Sequence, residues 1–227
     1  SSILGPTLVG GVSALASSRM LAAQGLTAAT ATAEQVDAIN RAGSADPEAI
    51  RDALEQSGLL QPGLRVLCAL SGGGDSVCLT HALARLAPER SLQVAAAHFS
   101  HGLRPAAAEP EKALCRALCQ SLSIPLYCGE GDTPVYAAAH GMGTEEAARA
   151  LRYAFLERTA EEQGYDVIAV AHQMDDNAET LLWNLIRGCG PAGLEGIPPR
   201  RGRIIRPLLQ CSRREIEAYL AQYRLPY

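Results

Sequence analysis

A short apolar run that ends in three consecutive glycines constrains this chain more than any other feature. Leu64–Leu70 reads LRVLCAL, and Ser71-Gly72-Gly73-Gly74-Asp75-Ser76 follows without a spacer. Such a run, closed by a glycine turn, predicts a buried strand. From Asp75 to Leu86 the apolar period becomes helical, so the glycines join a strand to a helix. Consecutive glycines accept positive φ and can turn several backbone N–H groups toward one point. The helix N-terminus adds its dipole and its free N–H groups. The product is an anion site, with Ser71, Gly72, Gly73, Gly74, Asp75 and Ser76 as candidate phosphate-binding residues. The hydroxyls of Ser71 and Ser76 are expected to donate to phosphate oxygens.

The same alternation continues along the chain. Strands are expected at Leu92–Phe99, Ile124–Cys128, Asp166–Ala171 and Ile204–Ile205. Helices are expected at Ala106–Leu122, Gly143–Gln163 and Asp175–Ile186, with a last one opened by Ser212 and a capping box to Glu215. On the long helix Ala148, Leu151 and Phe155 are expected to share the inner face. Strands without polar alternation, separated by helices, indicate a doubly wound parallel α/β sheet of about five strands. Residues 1–60 read as a helical or irregular appendage without an assigned role, and residues 61–227 as the catalytic domain. Within the appendage, Asp46-Pro47-Glu48 starts a helix with Ile50, Ala53 and Leu54 as its stripe and Gly58 as its end.

Composition narrows the function classes. Hydrophobic residues make up 48% and charged residues 19%, enough to bury a core. A net charge of −4 excludes a globally basic nucleic-acid clamp. Aromatics at 4% argue against a base-stacking platform. Basic charge is nineteen Arg and one Lys, Lys112, and six of the Arg fall between Pro198 and Arg214 with no acid among them. That stretch is the candidate surface for a polyanion. Seven Cys, an odd number with no C-x-x-C, read as buried free thiols of a cytoplasmic protein without disulfides. No apolar run is long enough to cross a membrane, and Ile3–Ala16 lacks the basic start of a signal peptide.

Further candidates lie at the carboxyl ends of the expected strands, where ligands bind in such sheets. Asp75 beside phosphates calls for a divalent cation, so Mg²⁺ is the natural partner. Asp175 and Asp176 open another helix at another strand end and are candidates for a second metal ligand, without a choice between them. His98, His101 and His172 match no standard zinc spacing and read as nucleotide-pocket residues. Arg104, Arg149, Arg152 and Arg187 lie near the same ends, where a guanidinium can grip phosphate through two bonds.

The glycine loop is neither a Walker A loop nor the dinucleotide fingerprint. It resembles the S-G-G-x-D-S loop of the N-type ATP pyrophosphatases, the PP-loop superfamily. Two further segments are much more specific, His98-Phe99-Ser100-His101-Gly102-Leu103-Arg104 and Ala171-His172-Gln173-Met174-Asp175-Asp176-Asn177-Ala178-Glu179-Thr180. Between them Gly143-Thr144-Glu145-Glu146-Ala147-Ala148-Arg149-Ala150-Leu151-Arg152-Tyr153 opens the long helix. Arg187-Gly188-Cys189-Gly190, Gly193-Leu194 and Arg206-Pro207-Leu208-Leu209 follow in the same order. From residue 60 onward, the chain is similar to the N-terminal catalytic domain of the tRNA(Ile)-lysidine synthetases. Ser100 and Cys189 depart mildly from that pattern, which often has Asn and Thr or Ser there. The family continues beyond the position of Tyr227 with parts that help hold tRNA.

The resemblance implies an adenine nucleotide α-hydrolase-like fold and use of ATP and Mg²⁺. It implies adenylation of the wobble cytidine at C2 in the isoleucine tRNA with a CAU anticodon, then attack by free lysine to give lysidine. It assigns catalysis to Asp75, Arg149, Asp175 and Asp176, and metal to Asp75, Asp175 and Asp176. ATP would be held by residues 71–76, His98, His101, Arg104 and His172. tRNA would meet Arg152, Arg187, Arg200, Arg201, Arg203 and Arg206, the last of these also being expected in the active-site wall. A homodimer is compatible with these residues and not required by them. Two alternatives keep the loop: a PP-loop tRNA thiolase, and a non-catalytic adenine-nucleotide-binding module.

Overall fold

The computed structural model of the chain describes residues 48–103, 105–188 and 195–227. Alternation along β1 (Arg65–Ala69) sets its layers. Val66 and Cys68 point to one face of the sheet and Leu67 to the other, and all three are fully buried. Because both faces must be covered, β1 lies in the middle of a six-stranded sheet of order β3-β2-β1-β4-β6-β5. β2 (Gln93–Ser100), β3 (Leu126–Glu130), β4 (Val167–Ala169) and β6 (Ile204–Ile205) run parallel to β1. The two-residue β5 (Arg200–Arg201) turns back antiparallel on β6, so the basic stretch begins as a hairpin at the sheet edge.

One face is covered by α1 (Glu48–Gln56), α2 (Gly74–Arg90), α3 (Pro105–Ser121) and α7 (Arg213–Gln222), the last closed by the expected Ser212–Glu215 capping box. Ile50, Leu83, Leu118 and Ile216 meet Val66, Ala96, Ala169 and Ile205 there. Each such fully buried Leu or Ile stabilises the fold by roughly 2 kcal/mol. On the other face α5 (Thr144–Gln163) packs Phe155, Leu156 and Ala160 against Leu67, Ala95, Ala97 and Ile168. Small residues in β2 and β3 let α5 approach closely: a Cβ on Gly129 would come to 2.5 Å from Phe155 Cε2. Residues 47–227 form one compact unit, so α1 packs with the sheet domain.

Three local expectations change. The inner face of α5 is Ala147, Phe155, Leu156, Thr159 and Ala160, while Ala148 and Leu151 are half-buried. Over twenty residues the apolar stripe drifts around the helix, and a three-residue reading misplaced it. A further helix, α4 (Thr133–His140), follows β3, capped by the Asp132 carboxylate accepting from Val135 N with Pro134 in the first turn. α6 (Met174–Ile186) begins as expected, yet none of its residues is buried. The proposed cap Asp46-Pro47, Arg104, Cys189, Gly190, Gly193 and Leu194 lie outside the described residues.

Candidate active site at the strand ends

The peptide that leaves β1 is held from both sides. Leu70 N donates to Ala97 O at 2.9 Å, and Leu70 O sits 3.0 Å from His98 Nδ1. The loop then closes on its two serines. Ser76 Oγ donates to Gly73 O (2.8 Å) and accepts from Ser71 N (3.1 Å). With that proton spent, Ser71 Oγ donates to Ser76 Oγ (3.0 Å) and accepts from Gly73 N (3.3 Å). Both hydroxyls therefore brace the loop, and Ser76 is buried, contrary to the expectation that they reach out to phosphate. Gly72 stands at φ +96, the left-handed region in which a side chain strains the backbone. Gly73 is the N-cap of α2, so the first N–H groups of the helix have no intrahelical acceptor and face the cleft.

That cleft has a volume of about 590 Å³ and is lined by Ser71, Gly73, Gly74, Asp75 and Ser76 on one wall. His101, Arg152 and His172 line it from the neighbouring elements. α7 and the residues after it form a further wall, with Arg213, Glu217, Leu220 and Tyr227. Leu220 and Tyr227 come so near that a Cβ on Gly74 would lie 3.1 Å from each.

Asp75 sits in the first turn of α2, two residues past the cap, so it is not the N-cap residue. Burial raises its pKa; Arg213 opposes this, and Asp176, Asp175 and Glu217 add to it. Carboxylates that push one another up make a site for a cation. Among the described residues no group of three or more His, Cys, Asp or Glu converges as an all-protein metal site. The donor set fits Mg²⁺, a hard ion that takes one or two carboxylates and fills its shell with water and phosphate oxygens. At the start of α6 the two acids differ. Asp176 accepts from Gln173 N at 2.9 Å and completes a capping box, while Asp175 is half-exposed and 3.8 Å from Arg213 Nε.

The three histidines separate. His101 lies edge-on to Phe99, and burial, then Arg152, lowers its pKa. His172 is likewise lowered by burial and then by Arg206. His98 is 2% exposed and does not line the cleft; it braces the loop from beneath, beside Cys115 at 3.4 Å. The arginines separate too. Arg149 and Arg152 lie over the Tyr153 ring at 5.0 and 5.3 Å. Arg187 covers Trp183 at the far end of α6, away from the cleft. Arg200, Arg201 and Arg203 are exposed on the β5–β6 hairpin. Arg206 is 5% exposed, donates to Pro198 O at 2.7 Å and does not line the cleft, so it is packed inside the protein, unlike the exposed arginines of the hairpin.

Glu111, Glu217 and Tyr227 enter the site without having been singled out in the sequence, and Arg213, counted there only as one of the six arginines of the basic stretch, lines the cleft with them. The capping box located α7, but nothing in its residues shows that it folds back over the glycine loop.

A parallel α/β sheet with a serine-braced glycine loop at its first strand end defines a class of proteins that hold ligands at the carboxyl ends of their strands. Residues 47–227 match the model of the PP-loop domain, and the chain belongs to that family. It is 45% identical over 169 residues to the tRNA(Ile)-lysidine synthase of Bacteroides thetaiotaomicron, covering 74% of this chain and 39% of that protein. It is 39% identical over 174 residues to the one of Thermosipho africanus, covering 77% and 40%. The chain thus spans about two fifths of the length of these curated relatives. Among solved structures, the U34-tRNA thiolase NcsA of Methanococcus maripaludis shares the fold with a TM-score of 0.67 at 18% identity, covering 79% of this chain and 65% of that one. The NH3-dependent NAD synthetase of Campylobacter jejuni shares it with a TM-score of 0.53 at 18% identity, covering 79% and 72%.

Proposed function

We propose that this chain carries the ATP-dependent step of a tRNA(Ile)-lysidine synthase. Identity of 45% to a relative of that name, together with a braced phosphate loop at the cleft, supports the reading most directly. ATP lies with its β- and γ-phosphates on residues 71–76. The serine network keeps the loop's N–H groups aimed before the substrate arrives, so no reorganisation is needed as pyrophosphate leaves. Mg²⁺, when bound beside Asp75, neutralises charge on the phosphates. Of the two acids on α6, Asp176 is the better second ligand. It acts on Asp75 more strongly than Asp175 does, and its cap holds it rigid.

The C2 oxygen of the wobble cytidine attacks the α-phosphate and pyrophosphate leaves. The ε-amine of lysine then attacks C2, and AMP departs with that oxygen. Arg149 and Arg152 stand near the reacting groups, with His101 and His172 held neutral for hydrogen bonding. Arg200, Arg201 and Arg203 contact the tRNA backbone. The catalytic domain begins ahead of α1, the residues before it keep no assigned role, and the protein works in the cytoplasm.

The test is ATP–pyrophosphate exchange with a CAU-anticodon tRNA transcript, with lysine or a sulfur donor then supplied in turn. Exchange that requires the tRNA, followed by AMP release with lysine alone, is expected. Exchange driven by lysine without tRNA, or product formation only with the sulfur donor, would overturn the reading.

A further inference from the structure

A carbonyl oxygen only accepts, so the hydrogen between Leu70 O and His98 Nδ1, 3.0 Å apart, sits on the imidazole. With the hydrogen elsewhere, two lone pairs would face each other at that distance. Cys115 Sγ lies 3.4 Å from the same nitrogen and 3.9 Å from Leu70 O, but sulfur is a weak acceptor and does not compete for that hydrogen. The other ring nitrogen, Nε2, is shielded from solvent and has no hydrogen-bond partner among the described residues, and the whole side chain is buried. Whatever His98 does by hydrogen bonding, it does through Nδ1.

Leu70 O belongs to the peptide that joins Leu70 to Ser71, and that peptide is held at both ends. Its N–H, on Ser71, donates to Ser76 Oγ at 3.1 Å. Ser76 Oγ in turn donates to Gly73 O at 2.8 Å. Gly73 O belongs to the peptide whose N–H is that of Gly74, the first residue of α2 and part of the cleft lining. Three hydrogen bonds and two peptide planes thus run head to tail from His98 to the Gly74 N–H, and every donor points the same way. Bonds in such a chain polarise one another, so each peptide they cross becomes a stronger donor at its N–H. The peptide is planar, so pinning both of its ends also stops it from rotating and fixes where the loop begins. Val77 N donates to Gly73 O as well, at 3.1 Å, and holds that carbonyl in line with α2.

We propose that His98 is a positioning residue for the phosphate loop, acting through the Leu70–Ser71 peptide and the Ser76 hydroxyl to aim and polarise the Gly74 N–H. The inference rests on the reading of the glycine loop as the ATP site and says how one of its donors is prepared. His98 itself touches no substrate, since it lies beneath the loop and does not line the cleft. What it strengthens is a donor to phosphate, where negative charge grows as pyrophosphate leaves. Asparagine can place an N–H where Nδ1 stands, and glutamine reaches instead to the place of Nε2. Two polar substitutions at one buried position therefore separate the relay from packing.

The test uses the whole chain, isotope-labelled for NMR. In the parent, the imidazole nitrogen signals of His98, identified by their loss in His98→Asn, should show the hydrogen on Nδ1. His98→Asn should keep the Gly74 amide signal in place and bind Mg²⁺ and ATP, measured by calorimetry, as tightly as the parent. His98→Gln should move that signal and weaken binding roughly two- to tenfold, the worth of one hydrogen bond. A role in packing alone would lower stability to urea and leave both the Gly74 signal and the affinity of the folded protein as they were. Ser76→Ala cuts the same chain further along, so adding His98→Gln to it should weaken ATP binding no further. A hydrogen on Nε2, an asparagine variant as weak as the glutamine one, a glutamine variant that binds like the parent, or additive losses in the double variant would each overturn the relay. The imidazole signal is read in the parent and decides even where His98→Gln does not fold. Failure of the parent to bind Mg²⁺ and ATP would instead strike the ATP reading, and the Gly74 signal, recorded without nucleotide, would still test the relay.

Discussion

Replacing Gly72 by alanine would separate the cost of the loop's shape from the cost of its space. Gly72 stands at φ +96, and an added Cβ would meet Cys115 Sγ and Glu111 Cβ at 3.8 Å each. These are ordinary van der Waals distances, so the penalty lies in the backbone alone, about 1–2 kcal/mol for an L-residue in the left-handed region. If the loop keeps its shape, the protein loses that stability and ATP binds as before. If the loop relaxes, stability is kept and the nucleotide must restore the shape, which lowers affinity by about 5–30-fold. In mixtures of the two, the losses share the same total. Gly73 is the internal control. Its φ of −77 and ψ of 158 suit any residue, and its nearest neighbour, Ser71 Oγ, is 3.7 Å from an added Cβ. Gly73→Ala should cost the fold only the loss of a favourable N-cap residue, about 0.5–1 kcal/mol, with no backbone strain. Urea unfolding and calorimetric titration with Mg²⁺ and ATP, on parent and both variants, make the comparison. A Gly72→Ala protein with parental stability and parental affinity, or a Gly73→Ala protein as damaged as it, would refute the reasoning.

Three other outcomes follow from the site and its surroundings. Burial, together with the acids around Asp75, raises its pKa against the pull of Arg213, so its ionisation opposes folding. That cost is absent below the pKa of an unfolded aspartate and grows as pH rises through the raised value. Asp75→Asn should therefore unfold at higher temperature than the parent at pH 7, match it near pH 3, and lose pyrophosphate exchange; a lower melting temperature at pH 7 would reverse the argument. Burial holds His81, whose Nδ1 lies 2.8 Å from the Tyr219 hydroxyl, down to a pKa of about 4. Stability that depends on its neutral ring is lost as pH falls from about 6.5, and denaturation at pH 7 and pH 4 should show the parent losing about 3 kcal/mol more than His81→Gln. Alanine at Arg200, Arg201 and Arg203 should weaken tRNA binding and flatten its salt dependence by about one unit of slope per lost phosphate contact, while ATP binding stays as it was. Equal slopes in variant and parent would remove the hairpin from the RNA surface.

What could be read in advance was what is local. LRVLCAL followed by SGGGDS specifies strand, turn and helix within adjacent residues, and the structure keeps each of them. The capping box at Ser212 and Glu215 is equally local and was found in place. α4 escaped because its core, YAAAH, is short and shows no apolar period; only the Asp132 cap and Pro134 announce it. The strand β5 escaped because Arg200-Arg201 has no strand character of its own and forms one by pairing with β6. His98 was assigned to the pocket from its place at a strand end. Alternation along β2 instead turns it beneath the loop, while Phe99 on the opposite face lines the cleft. Glu217 and Tyr227 reached the site through the packing of α7 on α2, which no spacing in the sequence records.

The hairpin at the sheet edge has a consequence for self-association. An outermost strand offers a row of unpaired N–H and C=O groups, a template on which a strand from another molecule can grow. β5 offers only two residues, both of them arginines, before the chain turns at Gly202 with φ +60. Two such edges brought together have almost no ladder to form and carry like charge. Arg200, Arg201 and Arg203 thus discourage sheets of neighbouring copies from merging, whatever else they bind. Removing all three would blunt that defence, so the hairpin variant should be checked by gel filtration at high concentration, where the edge, not the RNA, is what has been exposed.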